Sequence, residues 1–256
     1  MFIREALNNL ISWARSPQRK PLILRGARQV GKTSLVQSFA SQFETWIELN
    51  LELPRIARLF KQNLPLDELL QAIFLTVQRP PHGRILLFLD EIQNSPEAVQ
   101  YLRYFYEQRP DIYVIAAGSL LEVILEQQQL SFPVGRVEIM FLYPCNFHEF
   151  LTALGDQQAL ELFNQVPVPP YALPHLFKRF HDFALIGGMP EIVSHYAQNQ
   201  DIMALNSLYQ SLLVTYLDDV AKYARNSSLT HLMKHCIETS VYEAAQRITF
   251  AGFGHS

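Results

Sequence analysis

Two hydrophobic patterns alternate along the first part of the chain. Short runs of consecutive apolar residues give way to stretches in which apolar residues recur every three or four positions. The runs "PLILRG" (21–26), "TWIELNLE" (45–52), "RILLFLDE" (84–91), "IYVIAAGS" (112–119) and "RVEIMFLYP" (136–144) predict five strands. The periodic stretches predict helices at Lys32–Phe43, 64–78 and 95–108. Strands that are apolar on successive residues are buried on both faces. Strand–helix alternation of this kind implies a parallel sheet covered by helices on either side. The N-terminal "MFIREALNNLISWARS" carries charges inside its apolar pattern and predicts an amphipathic helix, not a secretory signal.

After about residue 145 the period becomes helical throughout. Examples are "FHEFLTALG", "HLFKRFHDFALIGG", "LNSLYQSLLVTYLDDVAKYA" and "LTHLMKHCIETSVYEAA". The Pro-rich "VPVPPYALP" separates the first of these from the rest and reads as a rigid connector. The predicted division is 1–155 for an α/β domain, 156–204 for a helical lid, and 205–256 for the start of a further, incomplete domain. "RITFAGFGHS" opens like a strand at Ile248–Phe250, with nothing after it to pair with.

Composition narrows the classes. The chain has 256 residues, 49% hydrophobic and 18% charged, enough apolar material for a sizeable core. A net charge of -3 gives no support for general attraction to nucleic acid, though DNA stays open as a partner through a local patch. The two cysteines, Cys145 and Cys236, suit a reducing compartment, so a cytoplasmic location is expected. No apolar run approaches the length that spans a bilayer.

Four stretches carry candidate chemistry. "GARQVGKT", Gly26 to Thr33, sits between a predicted strand and a predicted helix. Its glycines let backbone N–H groups turn toward phosphate oxygens, and the helix N-terminus adds its dipole. Gly26, Ala27, Arg28, Gln29, Val30, Gly31, Lys32, Thr33 and Ser34 are thus the candidate phosphate cradle. Lys32 would reach the β- and γ-phosphates and Thr33 would ligate Mg²⁺. The apolar strand "RILLFLDE" ends in two acids. Asp90 is the second candidate metal ligand, and Glu91 the candidate base for an attacking water. Ser119, at the end of the fourth strand, would hold the water or sense the γ-phosphate; a helix N-cap is the plainer reading. Arg136, just before the fifth strand, would stabilise charge on the transferred phosphoryl group, in cis or across a subunit interface. The plainer reading there is a surface ion pair.

In this order these pieces resemble the additional-strand catalytic-glutamate ATPases, the group that includes AAA+ and STAND proteins. "RGARQVGKT", "LFLDEIQ", "AAGSLLEV", "FPVGRVE…FLYPCNFHEFL", "GGMPEIV" and "RITFAGFGHS" resemble more closely an AAA-type ATPase family whose P-loop domain precedes a DUF4143 domain. The resemblance implies strand order 5-1-4-3-2, ATP and Mg²⁺ as ligands, and a C-terminal domain that is truncated here. "FIRE", Phe2 to Glu5, looks like the segment that flanks the base in STAND-like ATPases. "GMP", Gly188 to Pro190, resembles their Gly-x-Pro element, which can close over the nucleotide.

Other features point away from chemistry. The GTPase signature Asn-Lys-x-Asp is absent. His231, His235 and Cys236 share a predicted helix but lack the further ligand of a zinc site. Arg55, Arg58 and Lys61 form a basic stripe that reads as a solvated helix face. The sequence therefore predicts an ATPase whose hydrolysis drives a conformational switch, with homo-oligomerisation and an unknown protein partner both open. A slow-turnover ATP-binding module that regulates a protein or DNA partner is the alternative.

Overall fold

In the computed structural model, residues 2–118, 135–224, 226–240 and 242 are described. Ser119 and Ile248–Phe250 therefore lie outside the described residues. The chain divides into two units, Met1–Gln200 and Asp201–Ser256.

The first unit is built on five parallel strands: β1 (Leu22–Arg25), β2 (Thr45–Asn50), β3 (Ile85–Asp90), β4 (Tyr113–Gly118) and β5 (Glu138–Phe141). Their order is β2-β3-β4-β1-β5, the expected arrangement counted from the other edge. The strands are shorter than the apolar runs that predict them, because the runs continue into the turns.

The two-residue period of the strands sorts the core into two layers. Leu22, Leu24, Leu86, Phe88, Ile115 and Ala117 face one side. There they pack against α1 (Ala6–Arg15) and α2 (Lys32–Ala40) through Leu10, Trp13, Leu35 and Phe39. Ile23, Ile47, Leu49, Leu87, Leu89, Val114 and Ala116 face the other. That layer is closed by α3 (Pro54–Lys61), α4 (Leu66–Val77) and α5 (Pro96–Gln108). Every residue of β3 is buried, so the strand that carries the acids is fixed on both faces.

Beyond β5, the first unit continues through α6 (Phe147–Leu154), α7 (Gln157–Phe163), α8 (Leu173–Ile186) and α9 (Pro190–Asn199). A cluster of aromatic rings joins them, with Phe147 and Phe150 at its centre against Phe180, Phe183 and Tyr196. The Pro-rich stretch at 166–174 lies within this unit and runs through a short 3₁₀ turn, Pro170–Ala172, directly into α8. In the second unit, α10 (Asn206–Tyr223) packs on α11 (Ser227–Ser240).

Candidate functional site

The loop after β1 turns sharply at Gly26, whose φ is 157°. A Cβ there would come 2.3 Å from the carbonyl oxygen of Leu142, which belongs to the backbone continuing from β5. Neither side can yield, since the Leu142 N–H donates to the Arg25 carbonyl at 2.7 Å. Gln29 and Gly31 adopt φ of 62° and 89°, and α2 opens at Lys32 with a first bond from Leu35 N–H to the Gly31 carbonyl. The loop thus presents its backbone ahead of a helix N-terminus, the arrangement that anions favour.

Lys32 folds back over this loop. Its Nζ donates to the carbonyls of Gly26 and Ala27, each at 2.9 Å. Burial lowers the Lys32 pKa, while the Glu91 and Asp90 carboxylates oppose that shift and Arg28 adds to it. The Thr33 hydroxyl donates to Asp90 Oδ2 at 2.8 Å, joining the start of α2 to the end of β3. Burial raises the Asp90 pKa, against the Thr33 hydrogen bond, and Glu91 pushes it further up.

Glu91 leaves the strand in the left-handed region, with φ 53° and ψ 45°, so the two acids diverge. Its backbone N–H donates to Asp90 Oδ1 at 3.0 Å, and its carboxylate accepts from Gln93 Nε2. A cavity of about 350 Å³ brings Lys32, Thr33, Asp90 and Glu91 together, and Arg28 and Glu191 also line it.

A second cavity, of about 360 Å³, shares Gln29, Gly31, Ser34 and Glu191 with the first. Its apolar wall includes Phe2, Ile3, Leu7, Leu35 and Pro190. Phe2–Arg4 and Pro190, far apart in sequence, therefore line one cavity beside the cradle. Gly188 has no room for a side chain, because a Cβ would lie 2.3 Å from the Cys145 carbonyl oxygen.

Arg4 ties these parts together. Its Nη1 donates to the Val30 carbonyl of the cradle at 2.9 Å, its Nη2 to the Tyr143 carbonyl at 2.7 Å, and its Nε to Glu149 Oε1 at 2.9 Å. Glu149 is buried and also completes a capping box with Asn146 at the start of α6.

The candidate residues from Gly26 to Ser34, with Asp90 and Glu91, gather at one end of the sheet. Arg136 does not join them. Glu138 pairs with Leu22, which puts Arg136 beside the amino ends of the parallel strands. The cradle starts at the carboxyl end of β1, roughly 20 Å away at about 3.3 Å per residue. Arg136 instead pairs with Glu107 at 3.2 Å, the surface ion pair that is its plainer reading. Gln93, Glu191, Arg4 and Glu149 also join the site; all four lie inside the motif stretches of the sequence, which by themselves give none of them a role. No group of three or more His, Cys, Asp or Glu side chains that could hold a metal ion occurs among the described residues. None of the described helices is long and apolar enough to cross a membrane.

The sequence model of a family described as "AAA domain" matches residues 18–151. No curated protein matches the chain. Among solved structures, the Walker-type ATPase PABY2304 of Pyrococcus abyssi is similar, with a TM-score of 0.55 and 17% identity over 98% of this chain and 86% of that one. At such identity the likeness is one of fold. A structure described as Drosophila ORC bound to DNA aligns with a TM-score of 0.44 and 17% identity over 95% of this chain and 68% of that one.

Proposed function

The chain belongs to the AAA domain family, and from that premise we propose that its first unit binds ATP with Mg²⁺ and hydrolyses it at the cavity between the β1–α2 loop and the end of β3. The observation that carries this reading is the Thr33–Asp90 hydrogen bond, flanked in one cavity by Lys32 and Glu91. A hydroxyl and a carboxylate side by side are oxygen donors of the kind Mg²⁺ takes. Asp90 is a buried acid whose charge is opposed by desolvation, so a cation fits there. Thr33 and Asp90 would hold Mg²⁺, which when bound neutralises charge on the β- and γ-phosphates.

The remaining steps use this chain's own residues. The loop N–H groups and Lys32 bind the phosphates, Lys32 exchanging the carbonyls of Gly26 and Ala27 for phosphate oxygens. Glu91 takes a proton from water as the water oxygen bonds to the γ-phosphorus. The bond from that phosphorus to the bridging oxygen breaks, and ADP and inorganic phosphate leave. The apolar cavity beside the cradle takes the base, between Phe2–Leu7 and Pro190. Residues 156–204 act as a lid whose position follows the nucleotide, and the segment from 205 onward reads as DUF4143-like.

Glu91→Gln tests the reading. The glutamine keeps the shape but cannot accept the proton. Phosphate release should fall at least about a hundredfold while ATP affinity, measured by titration calorimetry, stays within about twofold. Hydrolysis at the parent rate would show that Glu91 is not the base.

A further inference from the structure

We infer that Gln93 is the residue that positions the Glu91 carboxylate for hydrolysis, an inference that rests on Glu91 being the base. Gln93 sits on the 3₁₀ turn Ile92–Asn94, directly after β3. The turn is pinned by the Asn94 N–H on the Glu91 carbonyl and the Ser95 N–H on the Ile92 carbonyl, each at 3.0 Å. Ser95 is fully buried, and its hydroxyl caps α5 by accepting from the Ala98 N–H.

Gln93 is 5% exposed and its side chain lies between two elements of the site. On one side its Nε2 donates to Glu91 Oε2. On the other its Oε1 presses on the carboxyl end of β4, where a Cβ on Gly118 would be only 2.4 Å away. That Oε1 is buried and finds no hydrogen-bond donor among the described residues.

A buried amide oxygen with no donor among its described neighbours carries an unrecovered desolvation cost. Such groups are rare in folded proteins and call for a reason. A methionine or leucine would fill the same space without that cost. What glutamine alone supplies here is the N–H on Glu91. Glu91 has left the strand in a left-handed conformation, so the strand's ladder does not fix its side chain. The Gln93 amide does. It holds Oε2 and leaves Oε1 of Glu91 to take the proton from water. Gly118 belongs to the same device, since only glycine leaves room for the amide.

The test compares Gln93→Met, Gln93→Ala and Gly118→Ala with Glu91→Gln. Methionine keeps the length and removes the donor. We expect kcat of Gln93→Met to fall about 10- to 100-fold, the size of loss that follows small misplacement of a reacting group. KM and the ATP dissociation constant should stay within about twofold, and the thermal midpoint should not drop. Gly118→Ala should lower kcat by displacing the amide, yet add little on the Gln93→Ala background, because the two changes act on one contact. Should Gln93→Met fold poorly, the Gln93→Ala and Gly118→Ala pair decides. Parent kcat in Gln93→Met while Glu91→Gln is inactive would overturn the inference and leave the base in place. A loss of ATP affinity in proportion to kcat would overturn it too, reducing Gln93 to a packing residue. If Glu91→Gln hydrolyses at the parent rate, the base assignment falls and the role of Gln93 with it.

Discussion

Arg4→Met should destabilise the first unit by about 3 kcal/mol. Arg4 and Glu149 form an ion pair with side chains only 10% and 5% exposed. Removing one partner of a buried pair leaves the other as a desolvated charge, at roughly 3–5 kcal/mol. The lower end applies here, because Glu149 keeps the backbone N–H groups of Glu5 and Asn146, at 2.8 and 3.2 Å. Methionine retains the apolar stem, so the loss reports the guanidinium. The chain's two tryptophans, Trp13 and Trp46, both belong to the first unit, so urea unfolding followed by fluorescence reads its stability. Glu149→Gln and the double variant complete a cycle. The two single costs should not add, with a coupling of at least about 1 kcal/mol. ATP affinity should weaken as well, since Arg4 anchors the Val30 carbonyl of the cradle. A cost for Arg4→Met below about 1 kcal/mol, the range of exposed pairs, or strictly additive costs, would refute the argument.

Three further outcomes follow from the same geometry. Lys32→Ala should raise the ATP dissociation constant at least about tenfold, roughly 1.4 kcal/mol; calorimetry showing equal affinity would remove Lys32 from the site. Asp90→Asn should raise the urea midpoint of the nucleotide-free protein while weakening Mg²⁺-dependent ATP binding. Because burial holds the Asp90 pKa above the ordinary carboxylate range, the folded chain holds this proton more tightly than the unfolded one, and stability from this group falls as pH rises from the ordinary carboxylate value through the folded one; the Asn variant should lack that slope in unfolding measured across pH. Arg136→Ala should leave single-turnover hydrolysis within about twofold of the parent and stability within about 1 kcal/mol; a rate loss that grows with protein concentration would place the arginine at a neighbouring subunit's site instead.

Local chemistry made much of this molecule legible before its structure. The inner strands follow from runs such as "ILLFL", buried on both pleat faces, whereas the edge strands β2 and β5 stay partly exposed because each has a neighbour on one side only; the sheet order follows from the resemblance those motifs carry. Thr33 and Asp90 belong to motifs, so their approach was expected. Arg136 shows what spacing alone leaves open. A residue just before a parallel strand lies at the amino end of the sheet, and a loop after a strand lies at the carboxyl end. Spacing in sequence hides that opposition until the register is fixed. The Arg4–Glu149 pair was out of reach for another reason: it joins the segment before α1 to the region beyond β5, and no periodicity links the two. Gln93 stood inside a quoted motif, yet only its burial against Gly118 and its bond to Glu91 give it a role.

The position of β1 has a consequence for how the protein is made. Leu22 finds its strand partners at Ile115 and Glu138, both far along the chain. β2 and β3 pair with each other, and the α3–α5 layer packs on them, using mainly residues up to Gln108. A nascent chain that has emerged to about that point already contains every residue of the phosphate loop. It has neither neighbour of the strand on which the loop stands, nor the Leu142 carbonyl that sets its first turn. Contacts so distant in sequence form late and slowly. On the proposed reading, ATP affinity should therefore be among the last properties the emerging domain acquires, because its loop waits on strands β4 and β5.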